Sequence, residues 1–208
     1  MVQNGPCYDI DREAYRGLPP ADPESHVPDI IVVRCSNVVA QPGAPPVAGA
    51  ERDILWVECK APDMDQPNEW NRVITQVVRR LNSAHPDRMV YLILAVGLKW
   101  MPFIWDPTVA GQQLTNPQGG PLRMVKHNRT DYWDIDPRIY SAPIQGQRHV
   151  FNSGGRLYID ATQAYTLDFW TLDPQTGAPA YIADMTLLET CFTQLHQTVF
   201  VGNNPAQF

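Results

Sequence analysis

Three dense apolar runs, with one amphipathic helix between the second and third, constrain this chain more than any other feature. The runs are DIIVVRC (29–35), DILWVEC (53–59) and RMVYLILAVG (88–97). Each is rich in β-branched and aliphatic residues and bounded by proline, glycine or polar residues, which is the pattern of a strand. They are apolar at successive rather than alternate positions, so they read as strands covered on both faces. KWMPFIWD (99–106) follows the third run after a tight turn and reads as a fourth strand. In the segment between, Trp70, Val73, Ile74, Val77, Val78 and Leu81 fall at the 3- and 4-residue spacings of one helical stripe. Pro67 suits a first helical turn, and Asp65 to Asn68 offer capping groups. Arg72, Thr75 and Arg79 lie opposite the stripe, with Gln76 and Arg80 on its flank. Strand, helix, strand is the order of a layered α/β core.

The rest of the chain is more weakly patterned. DIDREAYRG (9–17) reads as one or two helical turns, and prolines interrupt residues 19–28. QPGAPPVAGAE (41–51) is a loop that holds neither helix nor central strand. Residues 107–155, rich in Pro, Gly, Gln and Asn, read as ordered loop. GRLYIDA, AYTLDFWTLD and APAYIADM then read as strands, the last two joined as a hairpin through PQTG. TLLETCFTQLHQTVF reads as a closing helix with Thr186 and Glu189 as a capping box. Leu187, Leu188, Cys191, Phe192 and Leu195 would form its buried face.

The 208 residues fit a single domain. With 20 prolines and only 18% charged residues, the composition suits a compact chain with stiff connections. A net charge of −6 argues against a broad basic surface for nucleic acid but leaves room for a local basic channel. No apolar run reaches the ~20 residues that cross a bilayer, and no signal segment opens the chain. That reads as an intracellular protein, in the cytoplasm or nucleus, without a membrane partner. Cys7, Cys35, Cys59 and Cys191 are scattered and read as reduced core thiols; Cys35 and Cys59, on neighbouring strands, are expected near each other. The five histidines show no metal-ligand spacing. The aromatics of KWMPFIW and DYWD suit core packing or a partner surface better than stacking on bases.

The chemistry-bearing group is Asp29, Glu58 and Lys60. Glu58 and Lys60, two apart on a strand, project to one face. If the strands at 29–35 and 53–59 pair, as consecutive strands usually do, Asp29 approaches Glu58. Two carboxylates held close need a compensating cation, and a hard divalent ion such as Mg2+ provides one. Lys60 beside it would orient or help deprotonate a water, or stabilise charge developing on a phosphate. The plain alternative is three strand-end charges facing solvent.

Pro28-Asp29 followed by Glu58-Cys59-Lys60, each on a strand and with an amphipathic helix behind, resembles the signature of the PD-(D/E)xK nuclease superfamily. The resemblance covers residues 28–106 and implies a restriction-endonuclease-like α/β fold: a central mixed β-sheet flanked by helices. Residues 107–208 would be a loop-rich elaboration with a C-terminal hairpin and helix. It implies Mg2+ or Mn2+ bound by Asp29, Glu58 and the Cys59 backbone carbonyl, with Lys60 serving the attacking water. In some branches a helix glutamine faces the site, and Gln76 matches that position. Glu13 stands where the family's first helix often supplies another acid. The implied activity is phosphodiester hydrolysis of DNA or RNA. The alternative is an inactive nuclease-like module for binding or assembly, meeting a protein partner or a second copy through the aromatic-rich C-terminal half.

Overall fold

A computed structural model describes residues 7–12, 29–35, 51–108, 124–127, 130–133, 135–142, 144, 149–153, 156–167, 171–179 and 181–200. In it the four expected strands lie side by side. The elements are β1 (Cys7–Arg12), β2 (Ile30–Cys35), β3 (Glu51–Lys60), α1 (Pro67–Ala84), β4 (Val90–Val96), β5 (Lys99–Trp105), β6 (Met124–His127) and β7 (Thr130–Trp133). There follow β8 (Ile139–Ser141), β9 (Val150–Ser153), β10 (Arg156–Ile159), β11 (Tyr165–Thr166) and α2 (Tyr181–Phe200). The main sheet runs β1-β2-β3-β4-β5-β11, and β8 also pairs with β5. Its β3–β4 pair is parallel and the other pairs are antiparallel, so the sheet is mixed. α1 is the crossover that a parallel pair requires.

The strict alternation of strand side chains divides the apolar runs between two cores. On β4, Val90, Leu92, Leu94 and Val96 join Trp70, Val73, Ile74, Val77, Val78 and Leu81 of α1. Tyr91 and Ile93 turn to the other face, where Cys191 and Leu195 of α2 cover them. β5 divides likewise, with Met101, Phe103 and Trp105 on the α1 side and Trp100 and Ile104 on the α2 side. The aromatics of KWMPFIW are therefore core residues. Those of DYWD lie outside the described side chains.

Pro102 sits inside β5 without breaking it. β11 pairs with Lys99 and Trp100, and β8 with Phe103 to Trp105, so Pro102 falls at the changeover between the two. Its carbonyl accepts from the Ala142 amide at 3.1 Å, on the side where its missing N–H would also point. Gly97, in the β4–β5 turn, has φ +58°, and a Cβ there would stand 3.1 Å from Pro62. Both the backbone conformation and the close approach call for glycine.

Several sequence expectations are corrected. Residues 7–12 form a strand that covers the outer edge of β2, rather than the start of a helix at residue 9. An exposed strand edge carries unpaired N–H and C=O groups, and β1 satisfies those of β2; Glu13 lies outside the described residues. Within 107–155, expected as loop, β6–β7 form a hairpin, β8 extends the sheet and β9 pairs with β10. Strands of three or four residues are too short for periodicity to reveal. The PQTG turn is present: Asp173 Oδ1 accepts the Gln175 and Thr176 amides at 2.7 and 2.9 Å, and Gly177 has φ +67°. Among the described residues its flanking ladder is one bridge, Leu172 to Pro179.

Residues 181–185, read as strand, open α2, which places Thr186 inside the helix rather than at its cap. The Thr186 hydroxyl donates to the Ile182 carbonyl at 2.9 Å, the back-bond of a mid-helix threonine. Phe192, expected buried, is 43% exposed. At the start of α1 the N-cap is Gln66, which makes no side-chain capping bond, while Pro67 does occupy the first turn. Asp65 instead accepts from Trp70 Nε1 at 3.0 Å and pairs with Lys99 at 2.6 Å. Among the described residues no helix is long and apolar enough to cross a membrane.

His149 is fully buried against Phe103 and Tyr165. Burial pushes its pKa down to about 4, with only the Gln163 backbone acting the other way. The unfolded chain therefore binds a proton at His149 that the folded chain refuses, in the window from its ordinary 6.5 down to about 4. Stability from this residue is present above that window and falls as pH falls through it, by about 3 kcal/mol. Urea unfolding at pH 7 and 4.5 is expected to show this loss in the wild type and a shallower one in His149→Phe. Equal slopes would contradict it.

Candidate functional site

β3 carries charges at both ends of a covered strand, and a bulge arranges them. Val32 stands opposite Leu55 but Val33 opposite Asp53, so Ile54 is an extra residue in β3. That shift brings Asp53 and Trp56, three apart, to the same side, where Trp56 Nε1 donates to Asp53 Oδ2 at 3.0 Å. Beyond the bulge, alternation resumes and places Trp56, Glu58 and Lys60 on the face beneath α1.

Glu58 is 2% exposed, so the solvent-facing reading of this acid is overturned. A buried carboxylate demands partners, since an uncompensated charge away from water costs several kcal/mol. Two cations supply them. Lys60 Nζ donates to Oε1 at 2.5 Å, and Arg80 Nη1, reaching from α1, donates to Oε1 at 2.9 Å and Oε2 at 2.8 Å. Lys60 and Arg80 are each partly exposed, so the carboxylate lies just below a surface that both side chains reach.

Asp29 is the residue before β2. Extending the Ile30–Val57 register by one sets it across from Glu58. Its Oδ2 accepts the backbone amide of Cys59. The Cys59 thiol is held above its ordinary pKa by partial burial and then by the negative charges of Asp29 and Glu58, against the opposing pull of Lys60. Asp29, Glu58 and Lys60 converge at this end of the β2–β3 pair. Gln76 is exposed on α1, one turn before Arg80 and on the same flank.

Oxygen donors such as the Asp29 and Glu58 carboxylates suit a hard cation. Among the described residues no group of three or more His, Cys, Asp or Glu side chains is assembled. Two protein carboxylates with remaining positions left to water and phosphate is a set that Mg2+ accepts. The donor types are those such an ion takes, but both Glu58 oxygens are held by Arg80, and Oε1 by Lys60 as well.

The sequence offers Arg80, with Arg72 and Arg79, as a solvated helix face or a phosphate contact near the site; Arg80 instead pairs with Glu58. The signal was its spacing of four from Gln76, which puts both over the same strand end. Arg72 is engaged elsewhere, pairing with Glu69 at 2.7 Å, and Arg79 is exposed. Cys35 and Cys59, expected near each other, lie at opposite ends of the β2–β3 pair, because Cys35 pairs with Glu51.

A second buried cluster occupies the other end of β3. His85 Nε2 lies 2.9 Å from Asp53 Oδ2, and Arg88 Nε donates to His85 Nδ1 at 3.1 Å. With Nδ1 accepting, the proton sits on Nε2 and the ring is neutral. Burial lowers the His85 pKa against the hydrogen bond that Nε2 donates to Asp53, and Arg88 acts with burial. Both ring nitrogens are occupied, so this group braces α1 against β3 rather than offering a base or a ligand. Asn71, fully buried, also braces α1: its amide accepts the Ile159 N–H at 3.0 Å and donates to the Pro67 carbonyl at 2.9 Å. Comparison of the chain with protein-family models, curated proteins and solved structures finds no match.

Arg80→Ala leaves Glu58 buried with Lys60 alone and is expected to destabilise by about 2 kcal/mol. In a Glu58→Gln background the same change is expected to cost less than half as much. Urea unfolding of the four proteins of this cycle gives the coupling; independent, additive costs would contradict the pairing.

Proposed function

We propose that this chain is a restriction-endonuclease-like domain of PD-(D/E)xK type that hydrolyses phosphodiester bonds of DNA or RNA with Mg2+ or Mn2+. The observation that carries this reading is that Asp29 stands across the β2–β3 pair from buried Glu58, to which Lys60 is bonded. Asp29, Glu58 and the Cys59 carbonyl would hold the ion. A bound divalent ion supplies Lewis acidity and a more acidic water. Lys60, fixed against Glu58, presents an ammonium group where negative charge develops on the phosphate, and orients the attacking water. Asp29, held by the Cys59 amide, stands across the strand pair from Glu58. Gln76 and Arg79, exposed on α1, are available to the substrate backbone, which suits a small local contact surface on an acidic chain.

One observation favours a second reading. Arg80 engages both oxygens of Glu58, an arrangement that also suits an inactive nuclease-like module in which the ion pairs are permanent. Leu172, Ile182 and Phe192, large and exposed in the C-terminal part, would then serve a protein partner or a second copy.

A nicking assay with plasmid DNA and with single-stranded DNA and RNA separates the two. With Mg2+ or Mn2+ the wild type is expected to cleave at least one substrate. Glu58→Ala and Lys60→Ala are each expected to lose about 100-fold or more, the scale of removing a group that stabilises transition-state charge. Equal cleavage by wild type and both variants, or none by any of them, would overturn the first reading.

A further inference from the structure

We propose that His85 is an acid-operated switch in the connection between α1 and β4: protonation of its Nδ1 releases Arg88 Nε and draws the Asp87 carboxylate there instead. The inference does not depend on the metal-dependent reading, because it concerns the opposite end of β3.

A neutral imidazole has one N–H donor and one acceptor nitrogen, whereas the protonated ring has two donors and no acceptor. At His85 the neutral ring uses both. Nε2 lies 2.9 Å from Asp53 Oδ2, and Nδ1 accepts from Arg88 Nε at 3.1 Å. A guanidinium can only donate. Once Nδ1 carries a proton, two N–H groups and two positive charges face each other, and that bond must break. The Nε2 bond to Asp53, by contrast, becomes charge-assisted and strengthens.

The way each partner is held decides which one moves. Trp56 packs against the His85 ring edge to face, with centroids 5.1 Å apart. The His85 amide donates to the Leu81 carbonyl at 2.7 Å, and the His85 carbonyl accepts from Trp105 Nε1 at 2.9 Å. The ring is therefore fixed, while Arg88 is partly exposed. Asp53 and Arg88 each make a further contact, and the exchange asks only that the Nε bond break. The charged groups around the ring are Asp53 from β3 and Asp87 and Arg88 from the connection. β5 brings Trp105, over whose ring Arg138 lies at 4.5 Å, itself paired with Asp136. Asp87 is exposed, precedes Arg88 directly, and its charge favours the protonated ring, so it is the acid placed to receive the new N–H. Burial, with Arg88 acting alongside it, holds the ring below its ordinary 6.5 against the pull of Asp53 and Asp87. The ring is thus neutral at pH 7, and the exchange belongs to acid conditions.

NMR of the imidazole nitrogens and of the Arg88 Nε–H, followed from neutral pH to the onset of acid unfolding, tests this. The proteins are the whole chain as wild type, Arg88→Gln and Asp87→Asn. At neutral pH wild-type His85 is expected to carry its proton on Nε2. As Nδ1 gains a proton, the Arg88 Nε–H resonance is expected to shift with the same midpoint. Arg88→Gln removes the opposing cation and is expected to raise the His85 midpoint by about half a pH unit or more, the scale of one hydrogen bond. Asp87→Asn is expected to lower it, and this exposed position serves if Arg88→Gln does not fold. An Arg88 resonance that stays fixed while His85 titrates would overturn the switch. So would an unchanged midpoint in either variant, an Nδ1–H tautomer at neutral pH, or a ring that stays neutral until the chain unfolds.

Discussion

β3 is paired on both edges and covered on both faces, so any charge it carries must be compensated by another protein group. That constraint governs both ends of the strand. At one end Asp53 is satisfied by Trp56, with His85 beside it and Arg88 behind. At the other end Glu58 is satisfied by Lys60 and Arg80. Both sets draw a partner from α1 or the residue that caps it, so the crossover helix is tied to the strand by charge as well as by its apolar stripe. The bulge at Ile54 sets which residues face α1, and without it Asp53 would point to the opposite core.

The two ends nevertheless differ in chemistry. Around Asp53 every participating nitrogen of His85 is used, and the cluster is enclosed: Trp105 Nε1 also donates to the His85 carbonyl at 2.9 Å. Around Glu58 the compensating cations are partly exposed and lie on different elements, and a second carboxylate stands across the strand. An enclosed, fully bonded group stabilises a fold. A buried acid under partly exposed cations, with another acid across the strand pair, is the arrangement from which the proposed metal-dependent function is drawn.

The main sheet was legible because its strands are long, doubly covered and therefore uniformly apolar, and because α1 carries six apolar residues at helical spacing. Glu58 and Lys60 were legible as a pair because strand alternation fixes their common face. What escaped was set by partners distant in sequence. Arg80 acquires its role only when α1 packs over β3, and one-dimensional spacing gives a flank position but not what lies beneath it. β1 escaped because its partner is the edge of β2, which no local pattern announces. The start of α2 escaped because Tyr181, Ile182 and Ala183 are compatible with strand or helix, and the packing of Cys191 and Leu195 against the sheet decides between them.

The central claim is that Asp29 and Glu58 form one divalent-cation site at the end of the β2–β3 pair. The most direct measurement is an anomalous difference map from crystals of the protein soaked in Mn2+ together with a phosphorothioate oligonucleotide. The expected result is a single strong peak within about 2.0–2.6 Å of oxygens from both carboxylates, the usual range for oxygen ligands of hard divalent ions. A peak bound by only one of the two carboxylates, or none at this end of β3, would contradict it.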